Sequence, residues 1–142
     1  MIKNEKQLKI TKKRLREFEL VLNDLNTDYK TNKDLKLKMQ IDALKSDTSI
    51  LKSEVKEFDN LKNGTIKTIT AKSFHELPEV IIKARIARSM TQKDLALSLG
   101  MKEQQIQRYE NNNFASVSFS KMEKIVTALG ITIEEKVKLN KA

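Results

Sequence analysis

The chain has 142 residues, enough for one ordinary domain or for a small domain with an extension. Its 28 Lys and Arg against 19 Asp and Glu give a net charge of +9, which favours a polyanion or an anionic surface as partner. With no cysteine, disulfides and thiolate metal sites are excluded; the single histidine makes histidine-assisted hydrolysis an unfavoured reading, and with no signal peptide and no apolar run near the roughly 20 residues of a membrane span a cytoplasmic protein is expected.

From Glu5 to Asn26 the apolar positions Leu8, Leu15, Phe18, Leu22 and Leu25, with Thr11, follow a 3-4 rhythm that places one seam along a helix. A second run, from about Lys33 to Lys62, continues it through Leu37, Ile41, Leu44, Thr48, Leu51, Val55 and Phe58. The segment between them, Thr27 to Asn32, is short, polar and rich in turn and cap residues, so residues 1–62 are predicted to form an antiparallel helical hairpin. Two helices leave side surfaces such as Ile10, Val21, Met39 and Ile50 partly open, and a homodimer or a protein partner is expected to cover them. A dimerising coiled coil with a lysine-coated face and a docking surface for a specific partner both fit this pattern.

Residues 63–76 form a predicted linker. Asn63-Gly64 is the clearest break in the chain. Thr65 to Lys72 is β-branched and too short for a stable helix, which predicts a short strand. Ser73 to Glu76 fits a capping box, with Pro78 in a first turn. His75, in this segment, reads as an ordinary exposed side chain.

Beyond Leu77 short helices with frequent stops are predicted at about 77–89, 92–99, 103–111 and 119–129. The end of the chain, 132–142, is expected to be a strand or tail. Ile131, Ile133, Glu135, Val137 and Leu139 alternate as a strand would, though Thr132 and Glu135 could cap a last helix. A strand there could pair with 65–71 in a small two-stranded sheet. The fold class expected is therefore mainly α, a hairpin followed by a four- to five-helix domain with such a sheet.

Within 77–131 one pair of helices stands out. Thr91 is a good N-cap, and the helix it opens stops at Gly100. A second helix starts almost at once, and so short a turn makes the two cross rather than lie antiparallel. Ala96 supplies the small residue such a crossing needs. Leu95, Leu99, Met101, Ile106 and Tyr109 supply inward pegs, leaving Glu103, Gln104, Gln107 and Arg108 on the outer face.

Thr91-Gln92, Leu95-Ala96, Leu99-Gly100, Ile106 and Arg108-Tyr109-Glu110, together with "SKMEKIVTALGI" at 120–131, resemble the repressor/Cro-type (XRE) helix-turn-helix domain. More narrowly, the stretch Gln104 to Tyr109 and the N-terminal hairpin resemble HigA-type antitoxins and related regulators of toxin–antitoxin loci. The resemblance implies that the second helix enters the major groove of double-stranded DNA. Gln104 and Arg108 would then read bases, followed by Glu103 and Gln107, since glutamine pairs with adenine, arginine with guanine, and glutamate can accept from cytosine. Thr91, Gln92, Asn112 and Asn113 would lie against phosphate. Arg85 and Glu110 match an internal ion pair of that family, while Leu95, Ala96, Leu99, Gly100, Ile106 and Tyr109 form the frame.

The resemblance implies a sequence-specific repressor of bacterial or phage origin. It would bind a near-palindromic operator as a homodimer, repress its own operon and neutralise a cognate toxin. The alternatives are a module that sequesters a protein through the hairpin, and a phage-type or restriction-controller regulator without a toxin. No enzyme, metal or cofactor is expected, since the chain lacks a Gly-rich phosphate loop and an acidic metal cluster as well as cysteine. One observation cuts across this reading. Residues 1–72 hold 17 basic and 11 acidic side chains and residues 73–142 only 11 and 8, so the expected DNA-reading half is the less basic one. Lys3, Lys6, Lys9, Lys12, Lys13, Arg14 and Arg16 could follow flanking DNA, meet an acidic toxin or keep the hairpin soluble.

Overall fold

The regular structure is entirely helical: six α-helices and one 3-10 turn among residues 1–139, the residues that the computed structural model describes. The chain divides into two units, Met1–Thr68 and the remainder from Ile69.

The first unit is a pair of long helices, α1 (Glu5–Thr31) and α2 (Leu35–Lys62), packed along their length. Asn4 caps α1 by accepting from the Gln7 amide at 2.9 Å, and the Gln7 side chain accepts from the Lys3 amide at 2.8 Å. The pairs Glu5–Lys62, Lys12–Asp59 and Glu19–Lys52 run in opposite order along the two helices, which makes the pair antiparallel. Leu8, Ile41, Thr48, Phe58 and Leu61 are buried along the seam, whereas Leu15, Leu22, Leu44 and Leu51 are only half-buried, because two helices alone cannot close a core. Thr48 is tolerated in the seam because its hydroxyl donates to the Leu44 carbonyl at 2.7 Å. Ile2 folds onto the same end of the pair, and the Met1 ammonium meets Glu54 at 2.5 Å.

The turn lies later than the polar composition of Thr27 to Asn32 predicts. Asn26 and Thr27 direct their side chains back to the carbonyls of Leu22 and Asn23, at 2.8 and 2.9 Å, so they extend α1 rather than stop it. Asn32 to Asp34 make the connection, and Asp34 caps α2 by accepting from the Lys36 amide.

The predicted two-stranded sheet is not present: no strand occurs among the described residues. The amides of Thr65 and Ile66 are taken by the Asn60 carbonyl in closing α2, and the rest of 65–71 has no partner ladder. Residues 132–139 are likewise irregular and exposed, with Leu139 at 92%. β-Branched alternation describes a fit to a pleated surface, and without a third strand or a covering helix a two-stranded ribbon is marginal. Residues 140–142 of the predicted tail lie outside the described residues.

The second unit opens with a 3-10 turn, Phe74–Glu76, followed by α3 (Leu77–Ala87), α4 (Gln92–Ser98), α5 (Glu103–Asn111) and α6 (Phe119–Leu129). The expected capping box at Ser73 does not form: the Ser73 side chain caps nothing, and Glu76 accepts instead from the Lys72 amide at 2.8 Å. Ile81, Ile82, Ile86, Leu95, Ile106, Ile125 and Leu129 make the core. Ser118 caps α6, and Gly130 ends it at φ +60. Arg88 donates to the carbonyls of Leu129 and Gly130 at 2.8 and 3.0 Å, placing a cation at the negative end of α6. The positive φ favours glycine at Gly130, and a Cβ there would lie 2.5 Å from Arg88 Nη2, so the guanidinium would have to shift from its place at the end of α6. No helix among the described residues is long and apolar enough to cross a membrane.

Candidate nucleic-acid interface

Helix α4 is only 7 residues long and depends on its ends. At its start Thr91 accepts from the Asp94 amide at 3.0 Å while Asp94 Oδ2 accepts from the Thr91 amide at 2.8 Å and from its hydroxyl at 2.7 Å. These bonds, led by that from the Thr91 hydroxyl, hold the Asp94 carboxyl below its ordinary range. At its end the Gly100 amide donates to Leu97 O at 3.2 Å and the Met101 amide to Ala96 O at 2.8 Å, a complete Schellman pattern. It needs a left-handed residue, and Gly100 sits at φ +64. Helix α5 therefore begins after only Met101 and Lys102.

The two helices pack on each other through Leu95, Ala96, Ile106 and Tyr109, all buried, with Leu99 and Met101 half-buried. This fixes which side of α5 meets solvent. Glu103, Gln104 and Arg108 are exposed, and Gln107 is half-buried with its Nε2 donating to Glu103 Oε1 at 3.0 Å. Gln105 is half-buried and reaches back to the start of the helix, its Oε1 accepting from the Lys102 amide at 3.3 Å. Gln104 and Arg108, four residues apart, thus form the open part of the row, and an amide and a guanidinium on one stripe can make bidentate bonds to adenine and guanine.

Beneath this surface Arg85 and Glu110 form a bidentate ion pair, Nε to Oε1 at 2.6 Å and Nη2 to Oε2 at 2.9 Å, with side chains 2% and 1% exposed. Arg85 Nη1 donates to the Met90 carbonyl at 2.8 Å. Gln92 belongs to the same network: it is buried, and its Nε2 donates to Glu110 Oε2 at 2.7 Å. The pair ties α3 to the C-terminal turn of α5, and Gln92 ties in the first turn of α4. All three helices are thereby held in one register by groups that would be costly to leave unpaired.

The residues expected against phosphate are placed unevenly. The Gln92 side chain points into the domain, and the Thr91 hydroxyl is engaged with Asp94. Asn112 and Asn113 are exposed in the turn after α5. That turn is held in a demanding conformation, Asn113 at φ +48 and Phe114 at φ +55. A left-handed residue other than glycine costs roughly 1–2 kcal/mol, offset at Phe114 by its burial beside Tyr109, ring centroids 6.4 Å apart.

Sequence reasoning passed over three lysines that are exposed at helix starts: Lys93 in the first turn of α4, Lys102 at the N-cap of α5 and Lys121 in the first turn of α6. A helix start carries partial positive charge and prefers acids, so cations there oppose helix stability and suit an approaching anion. Lys121 also donates to the Tyr109 hydroxyl at 3.3 Å. Their signal in the sequence was a lysine at each predicted N-terminus, beside an acid at α4 and α5 and without one at α6.

Residues 81–136 match a family model described as Helix-turn-helix (HTH_3), an XRE-type domain. The match takes in most of α3 and all of α4 to α6, and does not extend into the α1–α2 pair. No curated protein and no solved structure matches the chain.

Proposed function

We propose that this chain, which carries an XRE-type helix-turn-helix domain and is on that ground a DNA-binding transcription regulator, is a repressor that reads its operator through α5. The observation that carries the reading is the open stripe of Gln104 and Arg108, backed by the buried Arg85–Glu110–Gln92 network that fixes α5 in place. Gln104 and Arg108 contact base edges in the major groove. Glu103 and Gln107, bonded to each other, read as a unit, and Lys93, Lys102, Asn112 and Asn113 take phosphates.

One nine-residue helix reads only a few base pairs, so useful specificity needs two copies on a near-palindromic site. The protein therefore acts as a homodimer. Selection of binding sequences from a random duplex pool, followed by footprinting, tests both statements. Enriched sites with two inverted half-sites centred about 34 Å apart are expected; enrichment of a single unrepeated half-site would remove the dimer, and no enrichment would remove sequence reading.

The autoregulatory antitoxin role rests on the resemblance of Gln104 to Tyr109 and of the hairpin to HigA-type antitoxins. Its test is the adjacent reading frame. Growth arrest on expressing that frame alone, relieved by this chain, is the expected result, and an adjacent frame without toxicity would leave a regulator with no toxin.

A further inference from the structure

We propose that the outward row of α1, Lys6, Lys9, Lys13 and Arg16, is a second DNA-binding surface that follows the phosphate backbone irrespective of sequence. The spacing of three, four and three residues puts all four on one stripe, and all four are exposed. The row lies opposite the seam of Leu8, Thr11, Leu15, Phe18 and Leu22 that α1 turns toward α2.

Charge along α1 is segregated, whereas along α2 it is mixed. Residues 3–16 hold seven cations and one carboxylate, and residues 17–29 hold four carboxylates and no cation. Lys12, Lys52 and Lys62 pair across the helices with Asp59, Glu19 and Glu5. Lys13 has only a 3.8 Å approach from Glu17, and no carboxylate engages Lys6, Lys9 or Arg16 among the described residues. Like charges three and four residues apart destabilise a helix, so the row is not explained by the fold it sits on.

Duplex DNA fits the row better than other anionic partners do. Ten residues of helix rise about 15 Å, and a DNA strand presents one phosphate per about 3.4 Å of axis, so four cations over that span face about four phosphates. A membrane surface would require a continuous bulky apolar face beside the cations, and α1 exposes only Ile10 within the row and Leu20 and Val21 beyond it, the rest of its large apolar side chains turning toward α2. A protein interface would require apolar anchors at its centre, and Ile10 is the one large apolar side chain between Lys6 and Arg16 that is mostly exposed.

The test uses the full-length protein with Lys6, Lys9, Lys13 and Arg16 all changed to Gln, titrated on a random-sequence duplex over a salt series. The plot of log affinity against log salt should become shallower by about 3 to 4, and affinity near physiological salt should fall at least about tenfold. Helix content by circular dichroism should be unchanged. The Gln104→Ala, Arg108→Ala protein, measured in parallel, should lose sequence preference while its slope changes by no more than about 1. Should the four substitutions disturb the hairpin, the pairs Lys6→Gln with Lys13→Gln and Lys9→Gln with Arg16→Gln are each expected to lower the slope by about 2. A slope that changes by less than about 1 overturns the inference and leaves α5 as the reader. Wild-type protein with no salt-dependent affinity for any duplex overturns both. Loss of binding to phosphatidylserine vesicles, with DNA binding unaltered, would overturn the inference in favour of a membrane surface.

Discussion

Gln107 donates through Nε2 to Glu103 Oε1 at 3.0 Å, one turn apart on the outer side of α5. The carboxylate sits in the first turn, where the helix dipole favours it, and holds the glutamine beside the Gln104–Arg108 stripe. It also sets a negative charge where phosphates approach. Glu103→Gln keeps a hydrogen-bonding oxygen and removes the charge. The expected result is tighter binding to random-sequence duplex, by about three- to tenfold if roughly 1 kcal/mol of repulsion is relieved, with a helix less stable by about 0.5 kcal/mol. Fluorescence anisotropy at fixed salt reads the first effect and a thermal melt the second. Weaker binding to random duplex would show that the carboxylate helps binding rather than opposing it.

Gln104 and Arg108 are exposed and make no contact that the core needs, so Gln104→Ala with Arg108→Ala should leave the thermal melt unchanged. On a selected operator the double variant should lose roughly 2–6 kcal/mol of discrimination against random sequence, taking 1–3 kcal/mol for each bidentate base contact. A gel shift at fixed salt, with operator and random duplex in competition, measures the ratio. Retained preference would remove these two residues from the reading surface.

Arg85 and Glu110 are both buried, and each is the other's counter-charge. Arg85→Met alone strands the Glu110 carboxylate with Gln92 as a neutral donor, and a loss of about 3–5 kcal/mol is expected. Combining it with Glu110→Leu removes both charges and should recover most of that loss, since an apolar replacement of a buried pair is often neutral or better. Urea unfolding of the single and double variants decides. A double variant no more stable than the single would mean that the bonds to Met90 and Gln92, rather than the charges, carry the stability.

The mainly helical character of the chain was legible because periodic seams over long segments leave little choice of structure. The short helices of the second unit were legible through their punctuation: Thr91 and Gly100 act on their immediate neighbours, and Gly130 meets a demand for positive φ. The sheet was misread because Thr65 to Lys72 and Ile131 to Leu139 carry strand propensity, whereas a strand also needs a partner, which propensity does not supply. The turn of the first unit was misplaced because Thr27 suits a turn and a back-bonded helix equally well. Gln92 shows the same limit at the candidate site. An amide at a helix start reads locally as a phosphate ligand, and only the fold brings Glu110, 18 residues further on, within 2.7 Å of its Nε2. Local chemistry named the residue types, and long-range packing decided which of them face outward.

The cap of α4 gives the domain a pH dependence with a definite sign. Asp94 has its carboxyl held below the ordinary range by bonds from the Thr91 hydroxyl and amide, with Lys93 helping. A group whose pKa is depressed on folding contributes stability that is present above its unfolded pKa and lost as pH falls through the folded value. The cap should therefore be fully effective at neutral pH and weaken only on acidification below the ordinary carboxylate range. Asp94→Asn should lower the melting temperature at neutral pH by a few degrees or less, and the gap from wild type should narrow as the pH is taken down toward 3, about a unit below an unperturbed aspartate. Thr91→Val removes the hydroxyl that is the main cause of the shift, and by nuclear magnetic resonance the Asp94 carboxyl should titrate closer to its ordinary value. Because α4 sets where α5 begins, the same substitutions should weaken operator binding more than they weaken the melt. A gap that stays constant through acid pH would mean that the Asp94 charge contributes nothing to α4, leaving Thr91 and the Schellman turn at Gly100 to hold the helix.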